Sequence, residues 1–209
     1  MSKAIVFTGG GGPSSLPDDL IGVGDYLIAA DSGFDKARSL GVCVHSVIGD
    51  FDSTAFVEEA LAIEHERYSS EKDQSDTSLA IEKALRHADE GYVLVGGGGY
   101  RLDHLMQTYS LFSRFGPPEL WLTRYESNTL VSSYKRFAPL SKGRTVSLYP
   151  ATLGGRATVD ATPLRWPLRS FVMSFSSFSL SNTCTEEHLE VRVEGEPIFV
   201  SFPVARTKG

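Results

Sequence analysis

Over roughly the first 125 residues, short apolar runs alternate with helix-like stretches, and acidic turns follow or flank most of the runs. The apolar runs are Ala4–Thr8, Tyr26–Ala30, Ser46–Ile48, Tyr92–Val95 and Leu120–Thr123. Runs this short, with little polar alternation, suit strands covered on both faces, as in a parallel sheet. Helical segments are expected at Asp35–Leu40, Thr54–Glu66, Asp76–Glu90 and Asp103–Phe115. Gly41, Gly91 and Gly116-Pro117-Pro118 supply the stops. Strand and helix in alternation predict an α/β layer built on a mostly parallel sheet.

After about residue 125 the pattern changes, and no further convincing helix follows. Candidate strands are Thr129–Phe137, Arg144–Tyr149, Ser170–Phe178, Glu190–Val193 and Ile198–Phe202, with a hairpin turn at Val193–Pro197. This half is expected to form a small antiparallel β-sandwich. The predicted domains are therefore 1–125, α/β, and 126–209, β-sandwich.

Composition narrows the function classes. The formal net charge of −6 comes with no basic run, which argues against a nucleic-acid partner. Cys43 and Cys184 form no C-x-x-C, and the five histidines show no ligand spacing, so neither a disulfide framework nor a zinc site is expected. The apolar run at Ala4–Thr8 is too short for a signal-peptide core, and no stretch approaches a membrane span. A soluble cytoplasmic protein is expected.

Four acidic motifs carry the chemistry: Ala30-Asp31-Ser32-Gly33, Gly49-Asp50-Phe51-Asp52-Ser53, Lys72-Asp73-Gln74-Ser75-Asp76 and Arg101-Leu102-Asp103-His104. In open α/β sheets, ligands bind outside the carboxyl ends of the strands, so these loops should converge. Clustered carboxylates repel unless they share a cation or a proton, which points to magnesium and a phosphorylated substrate. Asp50 and Asp52 would face the same way on an extended backbone. Ser75 and Asp76 suit the start of the helix that follows, so capping explains part of the third motif. Lys72 can bind phosphate while Asp73 holds metal. Asp31 reads equally as a ribose ligand or a helix cap.

The glycine run Gly96–Gly99, with Arg101, Asp103 and His104 after it, suits a nucleotide phosphate. Thr8–Gly12 is either a second phosphate nest or a plain turn. No P-loop signature occurs. Trp166 reads as a core residue and Ser181-Asn182 as a turn. Asp50-Phe51-Asp52-Ser53-Thr54 also resembles the nucleophile signature of haloacid-dehalogenase-type phosphatases. That family places the signature at its first strand and needs a later acidic pair, whereas Asp18-Asp19 comes earlier here.

Taken in order, the four motifs followed by a β-rich tail resemble the thiamine pyrophosphokinase (thiamine diphosphokinase) family. Ser32 and Tyr100 stand where that family usually has glycine. The resemblance implies a Rossmann-like N-terminal domain, a C-terminal β-sandwich and a homodimer that transfers pyrophosphate from ATP to thiamine, giving AMP and thiamine diphosphate; a non-catalytic nucleotide- or thiamine-binding module is the alternative. It implies magnesium on Asp50, Asp52 and Asp73, and a catalytic set of Asp50, Asp52, Asp73, Asp76 and Asp103. It places the nucleotide on Asp31, Gly33, Lys72, Gly99, Arg101 and His104. Thiamine would lie on Trp166, within Leu164–Leu168, and on Ser181 and Asn182.

Overall fold

The computed structural model describes residues 2–69, 71, 73–99 and 101–204. Lys72 and Tyr100 lie outside the described residues. The chain forms two units, Met1–Leu111 with Pro118–Arg124, and Phe112–Pro117 with Tyr125–Gly209. The short segment Phe112–Pro117 joins the second unit, where the Phe112 ring packs edge-on against Phe199 at 5.8 Å.

The first unit runs β1 (Ala4–Thr8), β2 (Tyr26–Ala30), α1 (Gly33–Ser39), β3 (Ser46–Gly49), α2 (Val57–Leu61) and β4 (Glu64–Arg67). It continues with α3 (Asp76–His87), β5 (Tyr92–Val95), α4 (Leu102–Phe115, whose last turn belongs to the second unit) and β6 (Leu120–Leu122). Its strands are ordered β6-β5-β1-β2-β3-β4, and all their pairings are parallel. β1 and β5 are buried along their whole length, as their unbroken apolar sequences require. From β1 the chain builds outward to β4, then returns to place β5 on the other side of β1. The switch point lies between β1 and β5, where a crevice opens at the strands' carboxyl ends.

The expected helix over Thr54–Glu66 is a correction. Only Val57–Leu61 is helical, and Glu64–Arg67 forms the edge strand β4. Strand pairing puts Glu64 and Glu66 on one face, and both reach Lys83 Nζ on α3, at 2.7 and 2.9 Å. Lys83 is almost buried and also donates to Ser46 Oγ at 2.8 Å. Burial would lower its pKa, but the two carboxylates outweigh burial and hold it above the ordinary lysine value. His65 points the other way, edge-on to Phe51. An ion pair, not apolar burial, therefore secures this strand, and a search for hydrophobic period passes over it.

The second unit contains β7 (Glu126–Val131), β8 (Tyr134–Phe137), β9 (Thr145–Pro150) and β10 (Ala157–Thr162). After these come β11 (Leu168–Met173), β12 (Ser179–Thr183), β13 (Leu189–Gly195) and β14 (Ile198–Pro203). Two antiparallel layers, β12-β9-β14-β7 and β11-β10-β13-β8, enclose a core that includes Val146, Leu148, Val159, Met173, Leu189, Val191 and Val200. This is the expected sandwich, but with more strands. The run Thr129–Phe137 is split into β7 and β8, and β10 and β12 are additional.

Candidate active site

Glycines let the loops at the switch point approach one another. Gly97 N donates to Gly9 O at 2.8 Å, joining the loop after β5 to the loop after β1. Gly96 has φ of 105°, and a Cβ there would lie 2.1 Å from Thr8 O. The loops surround a cavity of about 360 Å³ whose wall includes Thr8, Asp31, Asp50, Asp52, Asp76, Gly99, Arg101 and His104.

Three carboxylates converge there. Asp31, Asp50 and Asp76 each bring an oxygen within 4.8 Å of the others. Asp31 follows β2 at φ of 45°, and its amide donates to Ile48 O of β3 at 2.8 Å. Gly49 allows β3 to pass so close, since a Cβ there would meet Asp31 Cβ at 3.0 Å. Asp31 is 9% exposed, and its Oδ1 is buried with no hydrogen-bond partner among the described residues. Burial raises its pKa; Ser53 and the Ser32 amide oppose the rise, and the charges of Asp76 and Asp50 add to it. Asp76 opens α3, whose N-cap is Ser75, with Ser75 Oγ accepting from Ser78 N at 3.2 Å.

The structure brings together a different triad from the expected Asp50, Asp52 and Asp73. Phe51 has φ of 65°, so the backbone is not extended between the two aspartates. Asp52 N instead folds back onto Asp50 Oδ1 at 3.2 Å, and the Phe51 side chain is buried. Asp52 still lines the cavity and accepts from Ser53 Oγ at 2.7 Å. Asp73 is exposed and is not part of the cavity wall, while Asp31 takes a place in the cluster.

Of the nucleotide-side residues, Gly99, Arg101 and His104 line the cavity. Asp103 is committed to Arg101, with Arg101 Nε 3.1 Å from Oδ1 and Nη2 2.5 Å from Oδ2. That pairing lowers the Asp103 pKa and raises that of Arg101. Asp103 therefore orients a guanidinium at the cavity's edge. Gly33 does not line the cavity. It is buried in α1, where a Cβ would lie 2.1 Å from Phe7 O, so its absent side chain serves helix–strand packing.

The donor set suits a hard divalent cation. Three carboxylates at this spacing offer only oxygen ligands, and the orphaned Asp31 oxygen is buried at a cost that a cation would offset. Residues 18–120 match the family model described as "Thiamin pyrophosphokinase, catalytic domain". A thiamine pyrophosphokinase of Bacillus subtilis is 33% identical over 109 residues, which span 48% of this chain and 50% of that protein. The crystal structure of thiamine pyrophosphokinase from Bacillus subtilis superposes with a TM-score of 0.75 at 20% identity, covering 98% of this chain and 100% of that one. The enzyme from Candida albicans superposes at 0.67 and 14% identity, over 97% and 90% of the two chains.

Residues 18–120 belong to the thiamine pyrophosphokinase family.

The family model ends at residue 120, so the second unit of this chain is matched through its fold. Trp166 is 56% exposed, which corrects its reading as a core residue. The Arg165 guanidinium lies 4.9 Å from the centre of its ring. Asn182 is buried and holds the Trp166 backbone from both sides. It accepts from Trp166 N at 3.2 Å and donates to Trp166 O at 2.7 Å. Ser181 and Asn182 are in β12, not in a turn. The turn-like signal reflects a register shift between Ser179 and Asn182, with Ser181 at φ of 52°.

Proposed function

We propose that this protein transfers the pyrophosphoryl group of ATP to the hydroxyethyl group of thiamine, releasing AMP and thiamine diphosphate. The observation that carries the proposal is the Asp31, Asp50 and Asp76 cluster at the carboxyl ends of the sheet, inside the segment that matches the family's catalytic domain. In the reaction, the thiamine hydroxyl oxygen bonds to the β-phosphorus. The bond from that phosphorus to the α,β-bridging oxygen breaks, and the hydroxyl proton passes to a carboxylate or to solvent. Such transfer depends on positioning and charge neutralisation more than on a covalent protein group.

Asp31, Asp50 and Asp76 would hold Mg²⁺, with Asp52 beside them on the cavity wall. The ion's chemistry is to neutralise and align phosphate oxygens. Arg101, steadied by Asp103, adds a fixed positive charge where negative charge develops. His104 and Gly99 complete the nucleotide side of the wall. Incubation with ATP, Mg²⁺ and thiamine should yield AMP and thiamine diphosphate in equal amounts. ADP as the product would refute pyrophosphoryl transfer, and thiamine-independent phosphate release would favour a phosphatase acting through Asp50.

Thiamine carries a cationic ring, and the exposed Trp166 face suits it. Trp166→Ala should raise the thiamine KM by about tenfold or more, on the scale of a lost aromatic stack. The ATP KM and the Tm should change little, because Trp166 is exposed and the nucleotide residues lie in the first unit. A folded variant with an unchanged thiamine KM would remove Trp166 from the site. Assembly as a homodimer is supported by Val172, Phe175, Phe178 and Leu180, which are all exposed on β11, β12 and the turn between them. A cytoplasmic location fits an ATP-consuming reaction and two free cysteines.

A further inference from the structure

The end of β6 touches both of the glycine loops, after β1 and after β5, that wall the carboxylate cavity. Gly96 N donates to Leu122 O at 2.9 Å, and Arg124 N donates to Gly11 O at 2.9 Å. Thr123, between them, packs where a side chain on Gly98 would sit, its Cγ2 2.2 Å from that Cβ position. The fourth contact comes from a side chain. Trp121 Nε1 donates to Gly96 O at 2.8 Å, a buried bond from a residue that is 3% exposed. The Tyr109 ring of α4 lies against the indole, with centroids 6.3 Å apart.

Gly96 O and Gly97 N belong to one peptide unit. Trp121 holds its oxygen, and its N–H donates to Gly9 O at 2.8 Å, the bond that joins the two loops. Glycine stands on both sides of this peptide, at φ of 105° and 72°. With no Cβ on either residue, rotation of the peptide plane meets little steric resistance. A rotated peptide would turn its carbonyl toward Gly9 O and lose the bond between the loops. Hydrogen bonding therefore fixes its orientation. On the oxygen side the indole supplies the donor, and without it a buried carbonyl loses that partner.

We propose that Trp121 is a positioning residue for the nucleotide: its indole N–H locks the Gly96–Gly97 peptide and so holds the two glycine loops at the spacing that forms the cavity wall. Trp121 does not line the cavity and acts only through the backbone. Its effect falls on binding more than on chemistry. When only a fraction of molecules keeps the locked peptide, apparent ATP affinity falls by that fraction, while saturating ATP restores the locked state and the full rate. The assignment of ATP to these loops rests on the pyrophosphoryl-transfer reading; the lock itself rests on geometry alone.

The test replaces Trp121 by benzothienylalanine, which keeps the shape of the indole and puts sulfur in place of the N–H. Trp121→Phe, which removes the same donor with a smaller ring, gives the same readings if the isostere does not fold. Amide exchange is followed by NMR on the ligand-free protein in EDTA, ATP affinity by calorimetry with Mg²⁺, and KM and kcat by AMP release. The Gly97 amide should exchange about tenfold faster, the scale of leaving a buried acceptor unsatisfied, while the amides of β1 and β5 keep their rates. ATP Kd and KM should rise by about tenfold, with kcat and thiamine KM constant. Unchanged exchange at Gly97 overturns the lock, and faster exchange with unchanged ATP affinity overturns the positioning role. A uniform rise in exchange across β1, β5 and Gly97 marks loss of packing and overturns it too. An unmodified protein that binds ATP but releases no AMP sinks the reaction reading, and the lock is then still decided by exchange and affinity.

Discussion

Asp31→Asn should lower turnover by roughly 10²-fold or more while making the metal-free protein more stable, the first effect being on the scale of losing a major electrostatic contribution. Both effects follow from one side chain. Asp31 is 9% exposed, its Oδ1 has no hydrogen-bond partner among the described residues, and Asp50 and Asp76 crowd it. Burial and these neighbours raise its pKa above 3.8, so the folded chain disfavours the ionised form relative to the unfolded chain. The sign follows directly. The destabilisation is absent below 3.8, grows as pH rises through the raised folded value, and is complete above it. Asparagine removes the charge, keeps the shape, and tolerates φ of 45°. At neutral pH in EDTA the gain should be about 1 kcal/mol, or roughly 2–4 °C in Tm for a chain of this size. Added Mg²⁺ should raise the Tm of the unmodified protein and leave that of the variant almost unchanged. Wild-type turnover, or an undiminished magnesium-dependent rise in Tm, would show that Asp31 is no ligand.

The importance of Asp31 was only half legible beforehand, and the reason is geometric. An aspartate after an apolar strand is visible in the sequence, but which carboxylates meet depends on which strands are neighbours. The order β1-β2-β3 sets the ends of β2 and β3 side by side, and Gly49 lets them approach. The turn at Phe51, with its positive φ, then separates Asp50 from Asp52. Spacing in the sequence assumed an extended chain between Asp50 and Asp52, and so gave no sign that Asp31 and Asp76 would meet Asp50. The parallel sheet was easier to read, since β1 and β5 are short and wholly buried. β10 was missed although Ala157, Val159 and Ala161 alternate inward, because alanine gives a weak apolar signal. β4 was missed because its inward partners are charged. Glu64 and Glu66 make sense as a strand only when Lys83, from a helix later in the chain, is placed above them.

Gly33→Ala should lose the fold of the first unit before it loses any single ligand contact. Gly33 lies in the first turn of α1, and a Cβ there would lie 2.1 Å from Phe7 O, 2.5 Å from Phe7 C and 2.8 Å from Thr8 Cα. All three are backbone atoms of a central strand, so no rotamer change relieves the clash. Either α1 withdraws from β1 or β1 shifts within the sheet, and both loosen the core around Phe7, Phe34 and Ala37. The cost should be about 3 kcal/mol or more, at the upper end of what overpacking a core produces. For a chain of this length that is a fall in Tm of roughly 6–12 °C. The measurement is thermal unfolding in EDTA without nucleotide, which removes any contribution from ligands. If Gly33 instead served mainly to admit the nucleotide, the alanine variant would melt like the unmodified protein and show only a raised ATP KM. That outcome would return Gly33 to the binding site and overturn its assignment to helix–strand packing.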